Sequence, residues 1–462
     1  MKAIRYGVLV LVVGVWVGPA AGRWRGYNYL PAERLIQNAT AYIAEEPNDA
    51  SGYFTLGRIH YLAFANQAFL VAAREDFQLP TVMPYWWDKN YLEVALRTEA
   101  MQRAVSEYGI DGPDDLPSAE TEAFFVRVGV IYADLKRGGW KPAQPTSEEL
   151  IAHAGAAQWN FYQAIALDPN NALYTLGLAS LGEQYLEFFA EAGGAPLPPA
   201  LRMIALDAVK ETYLLAYKQS VEQDLTLERL PLEGLRGIIS YEAGSAFVRL
   251  WEGEEAIAAD VQETIATIKA NLATFEALPT GAITPIVFSL ESRASLAELL
   301  TAGRIVSFDL DGDGRAERRP WVKPTTAFLV WDADTDGKIT SGREMFGSVT
   351  WWMFFPNGYR ALDVLDDSRN GWLEAGELKG ISAWFDRNSN GISDAGELAS
   401  LESLGISAIA TRAAGHEGRS PMCNAGLRLR DGRALPTYDW IAPAAVPVEV
   451  SELAAAEDDR DK

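Results

Sequence analysis

The chain has 462 residues, enough for two or three domains with ample core. Its formal net charge of −23 argues against nucleic acid or an anionic membrane as a partner. A single cysteine, Cys423, excludes an intramolecular disulfide, so stability has to come from packing and bound ions.

At the amino terminus Lys2 and Arg5 precede an apolar run from Gly7 to Val17, then Gly18-Pro19-Ala20-Ala21-Gly22. A basic start, a short greasy core and small residues after it describe a secretory signal peptide over 1–21, cleaved near Ala20 to Gly22. The alternative is an uncleaved amino-terminal anchor. The run is short for a membrane span, and no other stretch is long and apolar enough for one. The expected location is periplasmic, cell-surface or secreted.

From Arg23 to about Pro279 apolar residues recur three and four apart, as in Leu35–Ile43, Leu92–Val105, Phe124–Leu135 and Ile204–Tyr217. Breaks rich in Pro, Gly and Asp separate these helices, at Glu46–Asp49, Gly109–Pro113, Gly138-Gly139 and Gly193–Pro196. Two stretches resemble tetratricopeptide repeats: Pro47-Asn48-Asp49-Ala50 leading into Tyr53–Tyr61, and Trp159–Asp168 closing with Pro169-Asn170-Asn171-Ala172. Pro47 and Pro169 lie much further apart than that family's period of about 34 residues. The resemblance therefore implies a diverged solenoid or irregular helical domain over 22–279, a scaffold presenting a surface to another protein. The plainer alternative is helical pairs that merely pack.

Pro84-Tyr85-Trp86-Trp87 and Trp351-Trp352-Met353-Phe354-Phe355 are aromatic clusters, read here as half-buried caps that could otherwise hold a partner or a sugar ring. His60, His153 and His416 are far apart in sequence, none at metal-ligand spacing, and His60 reads as packing. An enzyme acting on sugars would have Glu183, Glu187, Trp86 and Trp87 as raw material, without a recognisable constellation. No catalytic residue is assigned.

Around Ile283 the texture changes to short β-branched and apolar runs: Ile283–Leu290, Gly303–Phe308, Trp321-Val322 and Ala327–Trp331. Four acidic loops follow one design, with an oxygen side chain at positions 1, 3 and 5 and glycine at 6. They are Asp309-Leu310-Asp311-Gly312-Asp313-Gly314, Asp332-Ala333-Asp334-Thr335-Asp336-Gly337, Asp366-Asp367-Ser368-Arg369-Asn370-Gly371 and Asp386-Arg387-Asn388-Ser389-Asn390-Gly391. Oxygens on alternate residues converge on one point, and the turn brings round the carbonyl of position 7, as Ca²⁺ requires. Position 7 is Arg315, Lys338, Trp372 and Ile392 in turn.

The bidentate carboxylate expected at position 12 is Glu377 in the third loop and Glu397 in the fourth. Position 9 holds Glu374 and Asp394. In the second loop Arg343 stands at 12 and Glu344 at 13, which needs a one-residue bulge. The first loop has Glu317 at 9 and Pro320 at 12, so its last ligand comes from elsewhere. Apolar Leu373 at position 8 suits a small contact across to the fourth loop, where Ser393 stands. Only Leu378–Phe385 separates the last two loops, and about two helical turns fit there. The reading is an abbreviated EF-hand pair sharing one short helix, with a structural rather than sensory ion.

The series Pro285–Leu290, Phe308–Gly314, Trp321-Val322, Leu329–Asp332, Gly342–Gly347 and Asn357–Tyr359 is similar to a calcium-binding module of exported bacterial proteins. These include the iron-regulated, FrpC-like repeat-in-toxin proteins, and the match runs over roughly 283–409. That family's Glu-Leu-Phe-Gly is Glu344-Met345-Phe346-Gly347 here, which implies Glu344 as a ligand. Where the family opens with a further acidic loop, this chain has Ser289 and Glu291 and no glycine turn, so that site is lost. Some relatives cut themselves at an Asp-Pro bond; here Asp168-Pro169 sits in the repeat-like turn and reads as a helix end.

Gly426–Tyr438 reads as a β-hairpin with an Asp431-Gly432 turn, and the acidic tail over 442–462 as disordered. The expected fold class is multi-domain. An all-α tetratricopeptide-like domain precedes a small α+β EF-hand-type calcium-binding domain over 280–441, with Ca²⁺ and another protein as partners.

Overall fold

The computed structural model describes residues 30–66, 70–71, 89–109, 120–139, 145–191, 197–225, 238–252, 254, 256–277, 283–291, 295–332 and 337–443. The leader over 1–21, Trp86 and Trp87 with their neighbours, Asp334 and Asp336 of the second loop, and 444–462 lie outside the described residues.

The amino-terminal half is helical: α1 (Ala32–Glu45), α2 (Ala50–Ala65), α3 (Lys89–Tyr108), α4 (Thr121–Arg137), α5 (Ser147–Leu167), α6 (Ala172–Glu191), α7 (Pro199–Leu225), α8 (Ile238–Trp251) and α9 (Ala259–Ala277). Local chemistry starts several of them. Asp49 caps α2 by accepting from the Ser51 N–H, and Thr146 and Glu149 close a reciprocal capping box on α5. Asp168 is the residue on which α5 ends.

Packing does not follow chain order. Helix α2 lies along α5, and α3 and α4 pack against each other. Gly57 permits the α2–α5 approach, since a Cβ there would stand 2.8 Å from the Phe161 ring. The two repeat-like stretches are thus neighbours in space. A local periodicity cannot reveal that, because the intervening helices pair among themselves.

The same pairing corrects the reading of the histidines as far apart. His60 on α2 and His153 on α5 meet with their Nδ1 atoms 2.8 Å apart. One nitrogen must donate and the other accept, so the pair holds one proton between them. Burial, and then the His153 charge, pushes His60 down from 6.5 to about 4, against the pull of Glu33. Burial also lowers His153, against Glu149 and Glu33. A His kept neutral by the fold but protonated in the unfolded chain leaves stability intact above pH 6.5, and stability is lost as pH falls toward 4. The expected loss is on the order of 2 kcal/mol. Melting curves across that window should fall more steeply for the wild type than for His153→Gln; parallel curves would remove the pair as the cause.

The carboxyl-terminal half is antiparallel sheet. Its strands are β3 (Ile286–Ser289), β4 (Leu300–Phe308), β5 (Glu317–Val322), β6 (Thr326–Trp331), β7 (Trp372–Glu374), β8 (Ile381–Trp384), β9 (Leu398–Ser400), β10 (Ile406–Ala410), β11 (Gly415–Glu417), β12 (Ser420–Leu429) and β13 (Ala434–Asp439). Two short strands in the helical half, β1 (Leu30–Pro31) and β2 (Leu70–Val71), form a two-stranded sheet of their own among the described residues. Among the described residues the main sheet runs β7-β10-β12-β13-β3-β6-β8-β9, with β11 on β12 and β4–β5 as a separate hairpin. The β12–β13 pair is the hairpin expected from Asp431-Gly432.

Laid flat, β7 and β8 would stand about 29 Å apart, whereas the link from Glu374 to Ile381 spans at most about 25 Å. The sheet therefore curls, and both its faces are covered. Every residue of β6 is buried. Ala327, Leu329 and Trp331 enter one core, Phe328 and Val330 the other. A continuous apolar run is what a strand buried on both faces needs.

The first of those cores is shared with the helical half. Leu35 and Ala39 of α1 and Ile59 and Ala63 of α2 pack with Phe288, Leu329, Leu373 and Ile409. Polar contacts reinforce the seam: Arg34 pairs with Asp367 at 2.8 Å, Asn38 Nδ2 donates to the Val364 carbonyl, and Arg369 pairs with Glu45.

The expected helix between the third and fourth loops is not formed. After a 3-10 turn (Ala375–Leu378), Gly380 takes φ +90° and Ile381–Trp384 joins the sheet beside β6. Gly380 is suited to that left-handed step, and alternating Ile381, Ala383 and Trp384 find more to bury in the curled sheet than on an isolated two-turn helix. Leu373 pairs with Ile409 of β10 rather than across to the fourth loop, because its side chain belongs to the shared core. Ala442, assigned by composition to the tail, donates its N–H to the Ile283 carbonyl. The helices α10 (Leu296–Leu299) and α11 (Gly358–Asp363) are one turn or little more.

Candidate metal centre

The first, third and fourth loops have the same backbone. Positions 4 and 6 are left-handed in each: Gly312 and Gly314 at φ +74° and +89°, Arg369 and Gly371 at +56° and +84°, Ser389 and Gly391 at +55° and +73°. Gly337 at position 6 of the second loop has φ +80°. Glycine takes such angles freely, whereas Arg369 and Ser389 take them at a cost of about 1–3 kcal/mol each.

The position 1 carboxylate gathers the N–H groups of the turn. Asp366 accepts from Asn370 and Gly371 at 3.2 and 2.9 Å, Asp386 from Asn390 and Gly391 at 3.1 and 2.8 Å. Asp309 accepts from Gly312, Asp313 and Gly314, and Asp332 from Gly337. Position 5 accepts from position 7: Asp313 from Arg315, Asn370 from Trp372, Asn390 from Ile392. These bonds leave the carbonyl of position 7 as the part of that residue available to the loop.

The glutamates close the loops alike. Glu377 spans the N–H groups of Ser368 and Glu374, Glu397 those of Arg387 and Asp394. Glu344, despite its offset, accepts from the N–H of Thr340, which is position 9 of its own loop. The bulge therefore returns its carboxylate to the same N–H that Glu377 and Glu397 take. Lys338 and Arg343 flank this turn, and Arg343 Nε donates to the Gly312 carbonyl at 2.6 Å.

In the first loop Asp309, Asp311 and Asp313 each bring an oxygen within 4.8 Å of the others, a group that could hold a metal ion. Asp309 and Asp311 are buried, and Asp311 Oδ2 accepts no hydrogen bond. Burial, then the charge of Asp311, pushes the Asp313 carboxyl up. Crowded, desolvated carboxylates with an oxygen to spare suit a hard cation. Glu317 does not join them. It pairs with the fully buried Arg319 at 2.9 Å, and Arg319 stands 3.7 Å from Asp311 Oδ2.

Distant residues complete the cradles. Trp321 Nε1 donates to Asp386 Oδ2 at 2.6 Å, and Thr411 Oγ1 to Asp366 Oδ2 at 3.2 Å. Arg304 bonds the Ser389 carbonyl. Thr411, Arg304 and Arg319 carried no sequence signal, since each reaches a loop from elsewhere in the fold, and Trp321 was legible only as part of a strand-like run.

Residues 290–428 match the SPM domain family model. That interval contains every acidic loop and most of the sheet. The chain is also 35% identical over 107 residues to the "Iron-regulated protein FrpA" of Neisseria meningitidis serogroup C. The similarity takes in 22% of this chain and 10% of that protein, so the chain spans only a small part of its relative's length. The second of these agrees with the resemblance to iron-regulated proteins read from the sequence. Among the described residues no helix is long and apolar enough to cross a membrane.

Proposed function

We propose that this is an exported calcium-binding protein in which Ca²⁺ orders the loops of the sheet half. The observation that carries the reading is the repeated backbone, left-handed at positions 4 and 6 around an alternating set of oxygens. Loops of EF-hand-type sequence are here held mostly by strands, with the short helix α11 entering the third. The assigned ligands are Asp309, Asp311, Asp313 and the Arg315 carbonyl in the first loop, with Glu317 taken by Arg319. Asp332, the Lys338 carbonyl and Glu344 serve the second. Asp366, Ser368, Asn370, Glu377 and the Trp372 carbonyl serve the third. Asp386, Asn388, Asn390, Glu397 and the Ile392 carbonyl serve the fourth.

Without metal the carboxylates repel, and the strained turns at Arg369 and Ser389 are uncompensated. A bound ion offsets both, so binding and ordering are one process. Loops on strands of a sheet packed on both faces have no helix pair to open, which favours a structural ion over a sensor. The helical half, with α2 against α5 in tetratricopeptide-like fashion, is proposed as the scaffold for another protein. The proposal contains no catalytic step.

Calorimetric titration of the mature chain with CaCl₂ tests the assignment. Heat of binding is expected, with Glu397→Gln losing one site and Glu377→Gln another. Unchanged stoichiometry in both variants would sink it.

A further inference from the structure

The third acidic loop is gripped from the helical half, and at residues that are not its ligands. Its assigned oxygens lie on alternate residues, Asp366, Ser368 and Asn370. Between them, Asp367 accepts from Arg34 Nε at both carboxylate oxygens, 2.8 and 3.0 Å away, and from Asn38 Nδ2 at 2.8 Å. Arg369 pairs with Glu45 at 3.1 Å, and Arg412 pairs with the same glutamate. Just before the loop, Arg34 donates to the Leu365 carbonyl and Asn38 to the Val364 carbonyl, at 2.8 and 2.9 Å. Arg34, Asn38 and Glu45 all belong to α1, and their spacing puts them within about 40° of one another around a helix of 3.6 residues per turn. One face of one helix therefore covers the outside of the loop.

The fourth loop has the same sequence pattern and is held differently. Among the described residues, the side-chain bonds that reach it from outside come from Trp321, Trp384 and Arg304, all in the sheet half. The grip on the third loop also bears on a strained turn. Arg369 stands at position 4 with φ +56°, an angle a residue with a side chain keeps only where its surroundings enforce it. Glu45 from α1 and Asp363 at the end of α11 hold its guanidinium from two directions, at 3.1 and 3.0 Å.

We propose that α1 is the outer wall of the third calcium site: Arg34, Asn38 and Glu45 are positioning residues that fix the loop in its ion-binding shape, and an ion there fastens the helical half to the sheet half in return. The inference rests on the reading of the acidic loops as calcium sites. Ordering the loop costs conformational freedom, and whichever binds first, helix or ion, leaves less of that cost to the other. The coupling is therefore reciprocal. It belongs to the third loop, because the fourth is held from within the sheet half.

In calorimetric titrations of the mature chain with CaCl₂, the binding that Glu377→Gln removes belongs to the third loop and the binding that Glu397→Gln removes to the fourth. The double variant Arg34→Gln, Glu45→Gln is expected to weaken the first by roughly fivefold or more, the lower end of ordinary coupling between sites, and to leave the second unchanged. Both side chains are partly exposed, at 24% and 37%, so the variant keeps the shared core. Hydrogen exchange is the second measurement. Calcium should slow exchange over α1 in the wild type and in Glu397→Gln, but not in Glu377→Gln; on chelation α1 should follow the loop, not precede it. Absence of any calcium heat would remove the calcium reading and this inference together. Heat that Glu377→Gln removes as assigned, with α1 exchange indifferent to the ion or with both sites weakened equally by the double variant, would overturn this inference alone.

Discussion

Chelating divalent cations is expected to lower the melting temperature of the sheet half by about 10 °C or more. A ligand at a hundredfold its dissociation constant adds about 2.7 kcal/mol per site, and each kcal/mol moves the midpoint of a unit this size by about 2–4 °C. The third and fourth loops, which have every expected oxygen position filled, supply two such contributions. Hydrogen exchange should report the loss first over 306–398, because those turns rest on bonds to carboxylates that repel once the ion leaves. The shared core of α1, α2 and the sheet should hold longer. Superimposable melts with and without chelator would dispose of calcium as a structural element.

Gly342→Ala is expected to be the most damaging single substitution in the loop region, costing more than about 4 kcal/mol, a range reached only through a few severe mechanisms. A Cβ at this position would stand 1.8 Å from the Leu310 carbonyl oxygen and 2.7 Å from its carbon. Both are backbone atoms and cannot turn aside. The close approach exists because Gly342 donates its N–H to the Asp309 carbonyl at 2.8 Å, beside the parallel bridge of Asp309 to Ser341. Relief of the clash must separate the first two loops, and Arg343 would lose the Gly312 carbonyl with them. Gly376→Ala is the control, since nothing lies within 4 Å of its added methyl and its backbone is not left-handed. Denaturant unfolding should find Gly376→Ala near the wild type and Gly342→Ala far below it. Similar midpoints would mean that the two loops are not held together as described.

The acidic loops were legible because their geometry is local. An aspartate that gathers the N–H groups of the next few residues, and a glycine at position 6, act within one turn of chain. The strand Thr326–Trp331 and the hairpin at Asp431-Gly432 were legible for the same reason. The link from Leu378 to Phe385 was misread as a helix because length alone fits two turns. Its fate was decided by β6, which offered Ile381–Trp384 a partner with both faces covered. The histidines were misread as remote because the packing of α2 on α5 skips two helices.

By itself, then, the sequence determined the acidic loops, the switch from helices to strands near Ile283 and the terminal hairpin, all set by interactions between residues a few positions apart. Only the tertiary structure decided that α1 and α2 complete the sheet's core, that Trp321 and Thr411 reach into the loops, and that His60 meets His153. Those pairings join residues tens to hundreds of positions apart, and they are selected by the burial of whole surfaces, which no local pattern of residues encodes.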